Sequence, residues 1–394
     1  MNRKSIVAAA ACWLAVQTHG LALAADVPPN SAVAAPEWTQ LFAAPYGTRF
    51  GWSGADGVYT LPMNGDERFG GGAATKTFVV FSDSFVGGVN ADGSRIGGTQ
   101  MVNNTSAMLT GAAPDAAALQ FNVRGNGVDQ AQSLVAPTQA GQWYWPGDGL
   151  VWKGKLHLYA SRMKTGNGGP FNFAQDGVDL VSARASDPAP FLGGYVRRSL
   201  PLFSPRVGSR GEIAYGVATM PLTKPAGAPN PDGFLYVYGV RSDDYNKKLL
   251  VARVKPDAMT DGAAYRYWNG TSWGTDITRS APVANRMGAE LSVTPLPDGR
   301  YLVVHQLDTL SASVAVRYGD TPVGPFGPPI IVWTCPEDGL TPDTFVYGAK
   351  AHPHLSAPGE LLISYHVNTF DFWENFSAGG VDIYRPRFIK LPLP

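Results

Sequence analysis

Short strand-like runs recur in five successive groups along this chain. That serial repeat restricts the fold more than any other feature of the sequence. The first group covers 58–61, 77–81, 105–109 and 119–123, and the second 149–152, 155–161, 178–183 and a tail through 191–195. The third covers 213–219, 233–241, 248–254 and 265–268; the fourth 289–295, 300–306, 313–318 and 329–333. The fifth covers 352–355, 360–367 and 380–384, with 388–391 in addition. The groups echo one another. A polar or Gly turn precedes the second run in Lys153-Gly154-Lys155, Pro231-Asp232-Gly233, Pro297-Asp298-Gly299 and Pro358-Gly359-Glu360. An arginine stands at or beside the end of the third run, Arg184, Arg253 and Arg317, and Pro190-Phe191 and Pro325-Phe326 follow later. Four antiparallel strands repeated in series are the signature of a propeller blade. The expected fold is all-β, a five-bladed β-propeller, with a two-sheet sandwich as the competing architecture. Each unit exceeds the compact repeats of roughly 40–50 residues, so the surplus is expected in loops.

The ends of the chain set the compartment. Arg3 and Lys4, an apolar stretch over 6–16 and Ala22-Leu23-Ala24 read as a secretory signal over 1–25. The stretch is too short to span a bilayer. Residues 26–45 are Ala- and Pro-rich and read as a loose lead-in, leaving 46–394 as one catalytic domain. The expected product is exported, secreted or periplasmic, with no membrane insertion, and a monomer. Cys12 lies inside the signal, so Cys335 alone would remain after cleavage, which excludes an internal disulfide. With 31 basic and 31 acidic residues and no basic block, nucleic acid is excluded as a partner. Asp243-Asp244 reads as a solvated pair in a hairpin loop.

Two segments carry the chemistry. Asp56 stands before the 58–61 run and Asp83 after the 77–81 run, so neighbouring strands bring both carboxylates to one end of a sheet. Paired carboxylates beside flat apolar rings are what acetal cleavage in a sugar requires; Trp52, Tyr59, Phe81 and Phe85 supply the rings. Each aspartate alone also fits turn chemistry. In a propeller the first strands of all blades line one channel, and every unit places an ionisable residue near the start of its first run. These are Asp56, Asp148 beside Trp145, Glu212, Arg286 with Glu290, and Lys350 with His352 and His354. Burying such a ring is costly unless its members are paired or used. Asn103 and Asn104 suit recognition of sugar hydroxyls. The His352-Pro353-His354 pair raises a metal, but no third ligand stands at a telling spacing, so neither a metal nor a cofactor is expected.

The tracts Gly51-Trp52-Ser53-Gly54-Ala55-Asp56-Gly57, Phe81-Ser82-Asp83-Ser84-Phe85, Met101-Val102-Asn103-Asn104, Ala349-Lys350-Ala351-His352-Pro353 and 362–368 resemble secreted five-bladed propeller proteins known as domains of unknown function. Those families are similar to arabinanase- and fructosidase-type propeller glycoside hydrolases, and one includes bacterial endo-D-arabinanases. The resemblance implies that Asp56 and Asp83 are the catalytic pair. Ser82 and Ser84 depart mildly from the expected Gly and Thr. The reading is a secreted glycoside hydrolase acting on a furanose-containing polysaccharide or oligosaccharide, arabinan first. Glu290 or Asp148 would assist, and Lys350, His352 and Asn104 would contact sugar oxygens, with Trp52, Asn103, Trp145, Glu212, Arg286 and His354 around them. Two rivals remain: a non-catalytic sugar-binding propeller, and a polysaccharide lyase with His352 or Tyr365 as base and Lys350 or Arg286 neutralising a uronate.

Overall fold

The structure, a computed structural model, describes residues 25–125, 127, 130–166, 172–243 and 246–394. The signal reading of 1–25, apart from its last residue, and Asp244 lie outside the described residues. Six antiparallel sheets form among the described residues. Five follow the chain in series. The first pairs Tyr59–Pro62, Lys76–Phe81, Thr105–Thr110 and Leu119–Asn122. The second pairs Gln142–Trp152, Lys155–Thr165, Phe173–Arg184 and Val196–Leu200. The third is built on Glu212–Leu222, Phe234–Asp243, Asn246–Val254 and Arg266–Trp268, with short flanking strands. Leu291–Pro295, Tyr301–Gln306, Ser313–Gly319 and Ile330–Thr334 make the fourth. Thr344–Ala351, Glu360–Thr369, Pro386–Pro392 and Val33–Ala34 make the fifth. The first strand of each sheet packs against the first strand of the next, from Tyr59–Pro62 through Gln142–Trp152, Glu212–Leu222 and Leu291–Pro295 to Thr344–Ala351. The circle closes where the Thr60 hydroxyl meets His352 Nδ1 at 2.7 Å and Val58 N–H donates to His366 Nε2 at 3.3 Å.

The packing explains the strand sequences. Each main hydrophobic cluster lies between two neighbouring sheets. Val80, Leu158 and Val181 share one, Leu180, Ile213 and Val237 another, and Val251, Val293 and Val303 a third. A sheet covered on both faces wants apolar residues at consecutive positions, and Phe78-Val79-Val80-Phe81 is fully buried throughout. Each buried Phe or Val contributes on the order of 1.5–3 kcal/mol.

Four expectations are corrected. The lead-in is structured: Val33–Ala34 pairs with Pro386–Pro392, and a six-residue helix, Pro36–Leu41, follows. That helix is too short to persist alone; it is held by burial of Trp38, Leu41 and Phe42 against Phe388. In the fifth sheet the first strand is Thr344–Ala351, whereas 353–355 and 380–382 are 3-10 turns, which Pro353 and the left-handed Gly379 impose. In the second sheet the outer strand is Val196–Leu200 rather than 191–195, because Phe191 sits at φ 70° and is buried in the cluster below. Asp243 is not solvated but ion-paired with Arg241 and Lys248. No described helix is long and apolar enough to cross a membrane.

The sixth sheet positions the site. Trp52–Ala55, Ser84–Val86 and Gln100–Val102 form three strands beyond the mouth of the first sheet. The chain passes from this small sheet into the first sheet at residues 56–58 and back out at 82–83. Asp56 and Asp83 therefore face each other in a gap between two ladders. Asp56 N–H donates to Asp83 O at 3.3 Å, and Ser82 N–H to Asp56 O at 2.9 Å.

Candidate active site

Asp56 and Asp83 are built into one mouth of the central channel, and each is held by an aromatic side chain from another sheet. Tyr347 donates its hydroxyl to Asp56 Oδ2 at 2.5 Å. Trp145 Nε1 and Asn103 Nδ2 donate to Asp83 Oδ1 at 2.9 and 3.0 Å. Burial pushes the Asp56 carboxyl up to about 7, with Asp83 and then Glu290 repelling the charge; the Tyr347 hydroxyl opposes the shift, and Tyr384 adds a smaller opposing contribution. Asp56 Oδ1 is buried and meets no hydrogen-bond partner within bonding geometry among the described residues. Burial also raises Asp83, and its two donors oppose the rise. Two neighbouring buried carboxyls, each with its own donors, are an arrangement that can divide acid and base work.

Deeper in the channel the strands bulge at a shared level. Register slips fall at Pro146–Gly149, Tyr215–Ala218 and Tyr347–Lys350. Each bulge carries a Gly where a side chain has no room. At Gly348, with φ 72°, a Cβ would stand 2.7 Å from His366 Cδ2 and 3.3 Å from Glu290 Oε2. The bulges re-aim the next polar residues inward. Asp148 accepts from Gly149 N–H at 2.8 Å and from Thr219 N–H at 2.6 Å and Oγ1 at 3.1 Å. Burial nonetheless lifts its carboxyl to about 6. Lys350, 2% exposed, donates to Glu290 Oε2 and lies 4.0 Å above the Tyr59 ring. Glu290 thus pairs with Lys350, and this pair ties the fourth sheet to the fifth.

The remaining predicted residues fall elsewhere. Asn104 is fully buried. It accepts from Val135 N–H at 2.6 Å and donates to Tyr144 O at 2.9 Å, so it fastens a loop instead of meeting a sugar. Trp52 stacks on Phe121 at 4.6 Å inside the core and presents no face to the channel. Arg286 is exposed and ion-paired with Asp308. Both ring nitrogens of His352 are engaged, by Thr60 at 2.7 Å and Ser364 at 2.8 Å, and burial keeps the ring neutral. Glu212 opens its strand opposite Ser242, seven residues before Thr219 and outside this cluster. His354 lies at the opposite end of the channel, in a cavity of about 370 Å³ that also touches Tyr59, Glu67, Asp148 and Lys350. Asp56 and Asp83 are not among its walls. No group of three or more His, Cys, Asp or Glu among the described residues is placed to hold a metal ion.

Sequence reasoning missed Tyr347, Tyr384 and Glu67. A signal for the first was present. An aromatic precedes the bulge glycine in Trp145-Pro146-Gly147, Tyr215-Gly216 and Tyr347-Gly348.

A family model described as a domain of unknown function (DUF5005) matches residues 40–392. Notoamide biosynthesis cluster protein J of Aspergillus sp. (strain MF297-2) is 30% identical over 132 residues, 33% of this chain and 34% of that one. The match therefore spans about a third of the length of that curated relative. Among solved structures, a Bacteroides ovatus protein assigned provisionally as a hydrolase superposes with a TM-score of 0.70 at 21% identity, covering 91% of this chain and 89% of that one. The GH43_1 enzyme of Xanthomonas citri, solved with xylotriose, superposes with a TM-score of 0.45 at 15% identity, covering 91% and 94%.

Proposed function

The chain belongs to the DUF5005 family, whose description assigns no chemistry, and from its site we propose that it is a glycoside hydrolase working through Asp56 and Asp83. The observation that carries this reading is the facing of the two carboxyls across the gap between two ladders, one raised to about 7 and the other held by two donors. At neutral pH a good fraction of Asp56 is protonated. It can hand that proton to the glycosidic oxygen as the bond to the leaving group breaks. Asp83 Oδ1 is occupied by Asn103 and Trp145, which leaves Oδ2 to attack the anomeric carbon. Asp56, now ionised, then takes a proton from the water that releases the sugar. Tyr347 stabilises the charge that Asp56 acquires in the first step. Asp148, Glu290 and Lys350 lie deeper; Glu290 acts on Asp56 through its charge.

Neighbouring strands lie about 4.8 Å apart, and the backbones of Asp56 and Asp83 are directly hydrogen-bonded. Close carboxyls, about 5–5.5 Å apart, belong to retaining enzymes. The substrate of choice is a furanose-containing polysaccharide, arabinan or D-arabinan, on the motif resemblance. The reading includes five blades, one for each serial sheet, in a single domain over 46–394 preceded by an ordered 26–45, with an export signal over 1–25 and a monomeric state. The lyase reading loses its base: His352 is occupied on both nitrogens, and the Tyr365 hydroxyl is bound to Glu337 at 2.7 Å. Proton NMR of the first-formed product tests the mechanism. Retention of the anomeric configuration is expected. An inverted product would move the water-activating base away from Asp83, to Asp148 or Glu290.

A further inference from the structure

We propose that the cavity of about 370 Å³ at the mouth of the channel opposite Asp56 and Asp83 is a second binding site, and that it takes a single uncharged sugar ring. The proposal stands apart from the hydrolase reading, because neither aspartate lines this cavity. The volume falls at the small end of the range for ligand pockets, roughly 300–1,000 Å³. That suits one ring rather than a chain.

Two side chains in the wall have polar atoms that the fold leaves unmet. His354 is 1% exposed, and neither of its ring nitrogens meets a hydrogen-bond partner among the described residues. Packing fixes the ring: a Cβ at Gly72 would stand 3.3 Å from His354 Cδ2. Glu67 faces it, with Oε2 3.8 Å from His354 Nδ1, too far for a hydrogen bond. The Glu67 side chain keeps 25% of its surface exposed, so the pair is open to a small guest. Burial drives the Glu67 carboxyl well above its usual range, with Asp148 and Asp66 repelling its charge, and burial pushes the His354 ring down to about 3. At neutral pH both groups are therefore uncharged, and each offers a donor and an acceptor. A hydroxyl, itself both donor and acceptor, matches either one. Buried polar groups are ordinarily hydrogen-bonded.

The other charged groups in the wall are committed. Lys350 donates to Glu290, Arg68 is ion-paired with Asp66, and Asp148 accepts from Gly149 and Thr219. An anionic guest finds no free cation among the described wall residues and meets Asp148. A cationic guest meets Lys350. Phe69, Met220, Leu291 and Val293 add apolar wall for the C–H surface of a sugar.

The test is isothermal titration calorimetry of the full protein with L-arabinose, D-arabinose, D-xylose and D-glucose, and with methylammonium and phosphate as charged probes. At least one sugar should bind, and neither ion. Asp83→Asn should leave this binding in place. His354→Phe keeps the bulk of the ring and removes both nitrogens, and Glu67→Leu removes the carboxyl; each should raise Kd by about ten-fold or more. Glu67→Gln, which reproduces the donor and acceptor of a protonated carboxyl, should stay within about two-fold of wild type. Ala228→Phe fills the cavity from its wall and removes no polar group, so it should abolish binding whether or not the other variants fold. Absence of binding by all four sugars would overturn the proposal. Sugar binding that survives His354→Phe, Glu67→Leu and Ala228→Phe, or that Asp83→Asn abolishes, would place the sugar at the other mouth and overturn it too. Binding of methylammonium that Glu67→Gln abolishes would make the cavity a cation site instead.

Discussion

Asp56 is the residue on which the proposed chemistry turns, and its environment makes a pH prediction. Its carboxyl is raised to about 7 by burial and by two neighbouring carboxylates, and the Tyr347 hydroxyl opposes that rise. A hydroxyl donor favours the charged form of a carboxyl. Removing it must therefore raise the carboxyl further. In the proposed mechanism the protonated form is the working acid, so the fall in kcat/KM on the alkaline side would report this group. Wild type should lose activity above about pH 7. In Tyr347→Phe the alkaline limb should move up by about one unit, since a hydrogen bond to a charged group contributes about 1.5–3 kcal/mol and one unit corresponds to about 1.4 kcal/mol. A pH–rate profile checks this; a limb that stays in place or moves down would mean that another group is the acid. The aspartates were legible in the sequence because Gly and aromatic residues frame them at run ends. Trp145 stands out in the sequence beside Asp148, and Asn103 as an amide suited to sugar hydroxyls, whereas in the structure both donate to Asp83. Tyr347 carried a signal, an aromatic before a glycine, but it went unread because a tyrosine inside a strand looks like core until the facing sheet is known. Trp52 and Asn104 misled in the opposite sense: residue types that suit sugars, used here for packing and for fastening a loop.

At the scale of the element, the gap between the ladders sets the distance between the carboxyls. Gly57 holds it open, with φ 60° and no room for a side chain: a Cβ would lie 2.3 Å from Ser82 Oγ and 2.7 Å from Ser82 Cβ. Gly57→Ala must push the 56–58 segment away from 82–83. The expected outcome is a loss of turnover of at least about 10²-fold, the usual cost of a misplaced reacting group, with most strands still folded by circular dichroism. Near wild-type turnover would show that the gap does not position the pair. The strands themselves were mostly visible in the sequence, because sheets buried on both faces leave continuous apolar runs between Gly and Pro turns. In the second and third sheets the first strands, Gln142–Trp152 and Glu212–Leu222, extend beyond the predicted runs, whereas in the fourth Leu291–Pro295 is shorter than its run. The fifth sheet was misassigned because its first strand contains Gly348 and Lys350, a glycine and a charge that only the channel bulge explains. The small sixth sheet went unread, since three- and four-residue strands carry too little pattern.

At the scale of the molecule, the ring is closed by residues far apart in sequence. Val33–Ala34 supplies the outer strand of the fifth sheet, and Trp38, Leu41 and Phe42 fill the cluster between the fifth and first sheets. Losing three large apolar side chains removes roughly 5–9 kcal/mol at 1.5–3 kcal/mol each, against a total stability of about 5–15 kcal/mol. A protein shortened to begin at residue 43 should therefore fail to fold or melt far below the longer form in thermal unfolding. Unchanged melting would contradict closure by this segment. Such closure cannot be read from local patterns, because the partner strand lies more than 350 residues away. The central claim remains that Asp56 and Asp83 together split glycosidic bonds. Mass analysis of products from purified protein on a panel of plant and bacterial polysaccharides tests it most directly. The account predicts fragments that have each gained one water and absorb no ultraviolet light, on a furanose-containing polymer, with Asp56→Asn and Asp83→Asn each slowed by about 10²–10⁴-fold or more. Fragments carrying a new double bond, or undiminished cleavage by both variants, would contradict it.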